Sequence, residues 1–125
     1  MKKILVTGGN KGIGLAIVQK ILETENEAFV YMGSRSIDRG DASRNNLLKQ
    51  NSSFKGRIEV LPLDVSNDHS VTEAFKIVDK RCRADGKKLY GIVNNAGVMM
   101  EDSALEDVLQ VNVYGIYRVS NKFIP

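Results

Sequence analysis

Residues Thr7 to Gly14, T-G-G-N-K-G-I-G, lie between the short apolar run Ile4-Leu5-Val6 and a stretch of helical periodicity. A glycine-rich turn in that place lets the backbone approach a pyrophosphate. The helix behind it offers unpaired N–H groups and a partial positive charge. The residues therefore predict a nucleotide phosphate loop, with Gly8 turning out of the strand at positive φ. Gly12 would keep a Cβ away from the phosphates, and Gly14 would let the first helical turn pack against the sheet. Ile13, Ile17 and Ile21, with Ala16 beside them, mark one apolar stripe on the helix. No Gly-Lys-Ser/Thr follows, which excludes a Walker A loop. Glycine-rich βα turns also occur without ligands, so the motif alone leaves a purely structural turn open.

Outward from the loop, strand and helix patterns alternate without a linker, repeat or low-complexity tract. The expected strands are Ile4 to Thr7, Ala28 to Gly33, Arg57 to Val65 and Leu89 to Asn94. Between them come helices over Gly12 to Thr24 and Ile37 to Gln50, and an amphipathic helix with Val71, Ala74, Phe75, Val78 and Cys82 on one face. A last helix carries Leu105, Leu109, Asn112, Ile116, Val119 and Phe123 at steps of three and four. Pro62 suits a sheet edge or a strand end. This alternation predicts an α/β fold: a Rossmann-like, doubly wound parallel sheet, as a single half-domain over residues 1–125.

Bulk properties exclude several classes. A chain of 125 residues with 42% hydrophobic and 26% charged residues is long enough for one packed core and too ordinary in composition to be disordered. No apolar run reaches membrane-spanning length, and the run after Met1-Lys2-Lys3 is too short for a signal peptide, so a cytoplasmic location is expected, without membrane partners. Cys82 is the only cysteine, which rules out an internal disulfide and favours a packed thiol on its helical stripe. Lys80, Arg81, Arg83, Lys87 and Lys88 gather at a predicted helix C-terminus, where cations complement the dipole. No aromatic residues interleave with them, so nucleic acid is not an expected partner.

Four motifs in order carry a family resemblance: T-G-G-N-K-G-I-G, Leu63-Asp64-Val65 after the third strand, Asn94-Asn95-Ala96-Gly97 after the fourth, and Val111-Asn112-Val113 in the next helix. Together they cover nearly the whole chain, which resembles the N-terminal half of the short-chain dehydrogenase/reductase family. Within that family, T-G-G-N-K-G-I-G-L-A-I-V followed by an Arg after the second strand is most similar to the NADPH-dependent carbonyl reductases. The resemblance implies that Gly8, Asn10, Lys11, Gly12, Ile13 and Gly14 surround the cofactor phosphates. It also implies that Asp64 accepts from the adenine amino group with the Val65 backbone beside it, and that Asn95, Ala96 and Gly97 admit the ribose. Capping the following helix is the competing use of Asp64, and ordinary turn chemistry that of Asn95 to Gly97. After the second strand, where an acid would bind the 2′-hydroxyl of NAD, stands Gly33-Ser34-Arg35-Ser36. Arg35, with Ser34 and Lys11, favours the 2′-phosphate of NADP(H).

The family's catalytic set is a Tyr, a Lys four residues later, a Ser and an Asn; of these the resemblance places only Asn112. Four residues after Tyr31, Tyr90, Tyr114 and Tyr117 come Arg35, Asn94, Arg118 and Asn121, so no Tyr-x-x-x-Lys occurs. A polar residue on a half-buried helix face is the plainer reading of Asn112. The connection from Gly97 to Asn112 is also shorter than the family's by about two helical turns, and Met99 and Met100 within it suit gap filling or a pocket wall. Three functions follow as expectations. The chain is the NADP(H)-binding part of a carbonyl-reducing enzyme, inactive in this length; or a noncatalytic nucleotide-binding or interaction module that pairs with another chain; or an enzyme completed by a partner's Tyr and Lys. The fourth strand would be an unpaired apolar edge, so self-association through it or the last helix is expected.

Overall fold

In the structure, a computed structural model that describes residues 1–98 and 104–124, four parallel strands form one sheet in the order β3-β2-β1-β4. The strands are β1 (Lys2–Val6), β2 (Ala28–Ser34), β3 (Ile58–Pro62) and β4 (Gly91–Val93). The helices are α1 (Gly12–Thr24), α2 (Ile37–Gln50), α3 (Asp68–Asp85), α4 (Leu105–Asn112) and α5 (Tyr114–Phe123), with a short 3₁₀ turn over Ser52–Phe54. This is the expected Rossmann-like α/β architecture, with helices on both faces. None of the described helices is long and apolar enough to cross a membrane.

The two-residue repeat of a strand sends successive side chains to opposite faces, and the cores follow from it. Leu5, Tyr31 and Leu61 point to the face covered by α3 and α5, where they meet Val71, Ala74, Val78, Val119 and Phe123. Val6, Val30 and Met32 point to the face covered by α1 and α2, where they meet Val18, Leu22, Leu47 and Phe54. The α3 face expected from the sequence is the one buried. On α1 the stripe is displaced by one residue: Gly14, Val18 and Leu22 are buried, and Ile13 is 75% exposed. Both rows repeat every four residues, so periodicity alone does not choose between them. The row that contains Gly14 is the one whose helix can approach the sheet closely.

Several element boundaries differ from expectation, among them β4, which covers Gly91–Val93 where Leu89 to Asn94 was expected. The third strand ends at Pro62, whose missing N–H lies on the side away from β2, so that Leu63 N still donates to Ser34 O at 2.9 Å. The last helix is two helices that meet at Val113. In a continuous helix Gln110 O would receive Tyr114 N; here it accepts from an Arg118 guanidinium nitrogen at 2.9 Å. A side chain inserted into the helical ladder is a sufficient cause of the break. Leu105 and Ile116, placed on the apolar stripe by sequence, are consequently exposed.

Candidate functional site

A cavity of about 620 Å³ opens at the carboxyl ends of the strands, lined by the glycine loop, the ends of β2 and β3 and the segment after β4. In open parallel sheets this is where ligands bind, outside the strand ends where the order of connection reverses. Its size is that of a small-molecule site.

The loop is shaped by positive φ at Gly8 (60°) and Gly12 (54°). A Cβ on Gly8 would stand 3.0 Å from the Ala96 Cα, whereas one on Gly12 would meet nothing within 4 Å. Gly8 thus brings two strand ends together, and Gly12 faces open space. A side chain on Gly14 would collide with Gly8 O and the Asn95 amide, so Gly14 packs α1 against the loop itself. The first α1 N–H to find a helical carbonyl is Leu15, on Lys11 O at 3.1 Å. The N–H groups before it remain for an anion.

Of the expected site residues, the loop's Gly8, Asn10, Lys11, Gly12 and Ile13 line the cavity, together with Ser34, Arg35, Asp64, Val65, Ala96 and Gly97. The exposure of Ile13 is thereby explained: it belongs to the cavity. Gly14, Asn95 and Asn112 lie behind the wall. The Asn95 amide donates to Thr7 O (3.3 Å) and Gly8 O (3.1 Å), stitching the β4 exit to the loop. Asn112 accepts from Val98 N at 2.8 Å and donates to Val98 O at 2.9 Å, gripping one residue's backbone at both ends. Met99 and Met100 lie outside the described residues.

Two expected roles are redirected. The Ser34 hydroxyl is buried and donates to Ser36 O at 2.7 Å, so its proton is directed into the turn. Asp64 accepts from Ser66 N and Ser66 Oγ (3.0 and 2.6 Å), while Asn67 caps α3 by accepting from Ser70 N. Asp64 is therefore not that helix's cap.

Several residues had been given no site role in the sequence, although Thr7 and Val111 stand inside the quoted motifs. Thr7, buried at the end of β1, accepts from Asn95 N and Ala96 N at 3.0 Å each and holds β4's exit against the loop. A hydroxyl residue at a strand end beside a glycine loop was the available signal. Arg39 lines the cavity from the first turn of α2, beside Arg35 in the loop that precedes the helix. Val111 on α4 completes the far wall.

Tyrosines do not supply the cavity with an acid among the described residues. Tyr31 is buried in the α3-side layer, its hydroxyl has no hydrogen-bond partner, and burial raises its pKa. Burial likewise raises the pKa of the Cys82 thiol, which disfavours its thiolate.

The sequence profile described as short chain dehydrogenase matches residues 2–125. The chain belongs to the short-chain dehydrogenase/reductase family. It is 29% identical to the mitochondrial D-beta-hydroxybutyrate dehydrogenase of Mus musculus, covering 99% of this chain and 37% of that protein. It is 32% identical to the 3-amino-tetrahydro-pyrrolizinone reductase of Xenorhabdus hominickii, over 99% and 41%. Among solved structures, the NADPH-bound carbonyl reductase from chicken fatty liver superposes with a TM-score of 0.78 at 27% identity, covering all of this chain and 51% of that one. The chain thus spans about a third to a half of the length of the curated relatives and about half that of the solved neighbour.

The family binds nicotinamide cofactors, and the cavity fits one. Free helix N–H groups and an open Gly12 suit a pyrophosphate, and the closed contact of Gly8 with Ala96 leaves backbone rather than side chains on the floor.

Proposed function

We propose that this chain is the NADP(H)-binding part of a short-chain reductase that acts on carbonyl compounds. One observation carries the cofactor choice: Lys11, Arg35 and Arg39 line the same cavity as Ser36, and no carboxylate occupies residues 33–36 at the end of β2. Two guanidinium groups beside the α2 N-terminus suit a dianionic 2′-phosphate by forked, charge-assisted contacts. The loop N–H groups would hold the pyrophosphate, and Asp64 with Val65 would flank the adenine. The bound nicotinamide would supply a hydride. Asn112, with its amide committed to Val98, supports the wall there. The 125 residues hold no Tyr-x-x-x-Lys, so the pair that would protonate a reduced carbonyl is not among them. This length is therefore inactive in the proposal.

The test is a fluorescence titration with NADPH and NADH. NADPH should bind more tightly, and Arg35→Ala or Lys11→Ala should remove the preference; binding indifferent to both substitutions overturns the 2′-phosphate reading. Carbonyl-dependent NADPH oxidation by the pure chain would overturn its inactivity. The partner reading is favoured by one further observation, that among the described residues β4 pairs only with β1. We expect the chain to self-associate through that edge or the last helices, and a monomer mass by light scattering at high micromolar concentration would sink this.

A further inference from the structure

Arg118 on α5 ties three segments together: the segment after β3, the start of α3 and the end of α4. Its Nη1 donates to Gln110 O at 2.9 Å and to Val65 O at 3.3 Å, its Nη2 reaches Gln110 Oε1, and its Nε donates to Asp68 Oδ1 at 2.9 Å. The side chain is 18% exposed, against 87% for Asp68. Val65 O lies just past the end of β3, and Gln110 O is the carbonyl released where α4 ends. Val65 lines the cavity on one side, and Val111, the neighbour of Gln110, on another. Beneath the guanidinium, α5 presses on Val65 so closely that a Cβ on Gly115 would stand 2.8 Å from Val65 Cγ2.

We infer that Arg118 is a positioning residue for the adenine side of the cavity: one planar fork sets the separation of the Val65 and Val111 walls. The inference rests on the proposed nucleotide site. A guanidinium is suited to the task because its donors are fixed in one plane and stay charged, whereas a lysine ammonium is a single point on a flexible stem. Arg118→Lys keeps the charge at the α4 terminus and cannot span both carbonyls with the side-chain amide.

The experiment is calorimetric titration of wild type, Arg118→Lys and Arg35→Ala with 2′,5′-ADP and with 5′-AMP, alongside thermal denaturation of each free protein. The expected result is a roughly tenfold fall in affinity for both nucleotides in Arg118→Lys, the size of one charge-assisted hydrogen bond broken beside the base. Arg35→Ala should lose affinity for 2′,5′-ADP alone. A change that merely loosened the fold would lower the melting temperature and leave the affinity of the folded protein intact. Unchanged affinity in Arg118→Lys, or a loss confined to 2′,5′-ADP, overturns the inference. Wild type that binds neither nucleotide overturns the nucleotide site itself. Should Arg118→Lys fail to fold, Gln110→Ala removes one acceptor of the fork, and the same equal loss on both nucleotides, smaller in size, is expected; no loss overturns the inference.

Discussion

The two edges of the sheet are built differently. Along β3, Val30 N donates to Arg57 O and Leu63 N to Ser34 O, so alternation turns the backbone groups of Ile58, Val60 and Pro62 away from the sheet. Each end of that outward row is closed: Ile58 O accepts from Arg44 Nε at 3.3 Å, and Pro62 has no N–H to offer. Gly40 of α2 then sits so close to Val60 that no Cβ would fit. Along β4, Thr7 N donates to Val93 O at 3.0 Å, which turns the N–H and C=O of Ile92 outward. No described side chain caps them. A blocked edge ends a sheet, while a bare, half-buried one has the character of an interior strand. The difference teaches that the fold is finished on one side and receptive on the other.

That contrast can be broken most severely at the entry to β3. Arg57 is buried, and its guanidinium donates to Ala28 O, Leu22 O and Glu25 O while lying over Phe54. Arg57→Met would strand those carbonyls, and a loss of about 3 kcal/mol is expected in urea denaturation. Next comes the open edge. Ile92→Pro removes an outward N–H without removing a bond to β1, and self-association by sedimentation should weaken by at least about tenfold, or 1.4 kcal/mol. Unaltered association would place the contact elsewhere. Arg44→Ala should unblock β3 at a cost of about 1 kcal/mol, with association rising in the same assay. The smallest effect concerns Lys3, buried on β1 and paired with the exposed Asp85 at the end of α3. The hydrogen bond from Lys3, and then the Lys87 backbone, hold the Asp85 carboxyl below its usual range. A depressed carboxylate pKa stabilises the fold above the ordinary aspartate range and loses that contribution as pH falls through the folded value. In urea denaturation across pH, Asp85→Asn should lower stability slightly at neutral pH, leave it nearly unchanged below the folded carboxyl's range, and so flatten the acid limb.

Much of the fold was legible in the sequence, and the reasons are physical. The strands and their places followed from apolar runs separated by helical periods, and the loop was recognisable because positive φ at Gly8 and Gly12 favours glycine. What resisted reading depended on pairs far apart in the chain. Nothing local says that Asn95 and Asn112 spend their amides on backbone at Gly8 and Val98, or that Ser34 bonds its own turn. The α1 stripe was displaced by one residue because two rows of equal period compete, and only contact with the sheet selects Val18 and Leu22. The break at Val113 depends on Arg118 reaching Gln110, a tertiary event inside an apparently continuous pattern. Arg39 escaped for a simpler reason, since an arginine on a polar helix carries no mark of the cavity it faces.

Thr7 and Asn95 are 88 positions apart, yet the hydroxyl of one and the amide of the other define the loop's floor. During synthesis the T-G-G-N-K-G-I-G segment leaves the ribosome long before its supports do. At translation rates of about 5–20 residues per second, several seconds separate the two events. A nascent chain that has not yet emitted Ala96 carries the complete glycine motif in writing and lacks the supports of its shape, so the loop is finished late in synthesis although its sequence is written first.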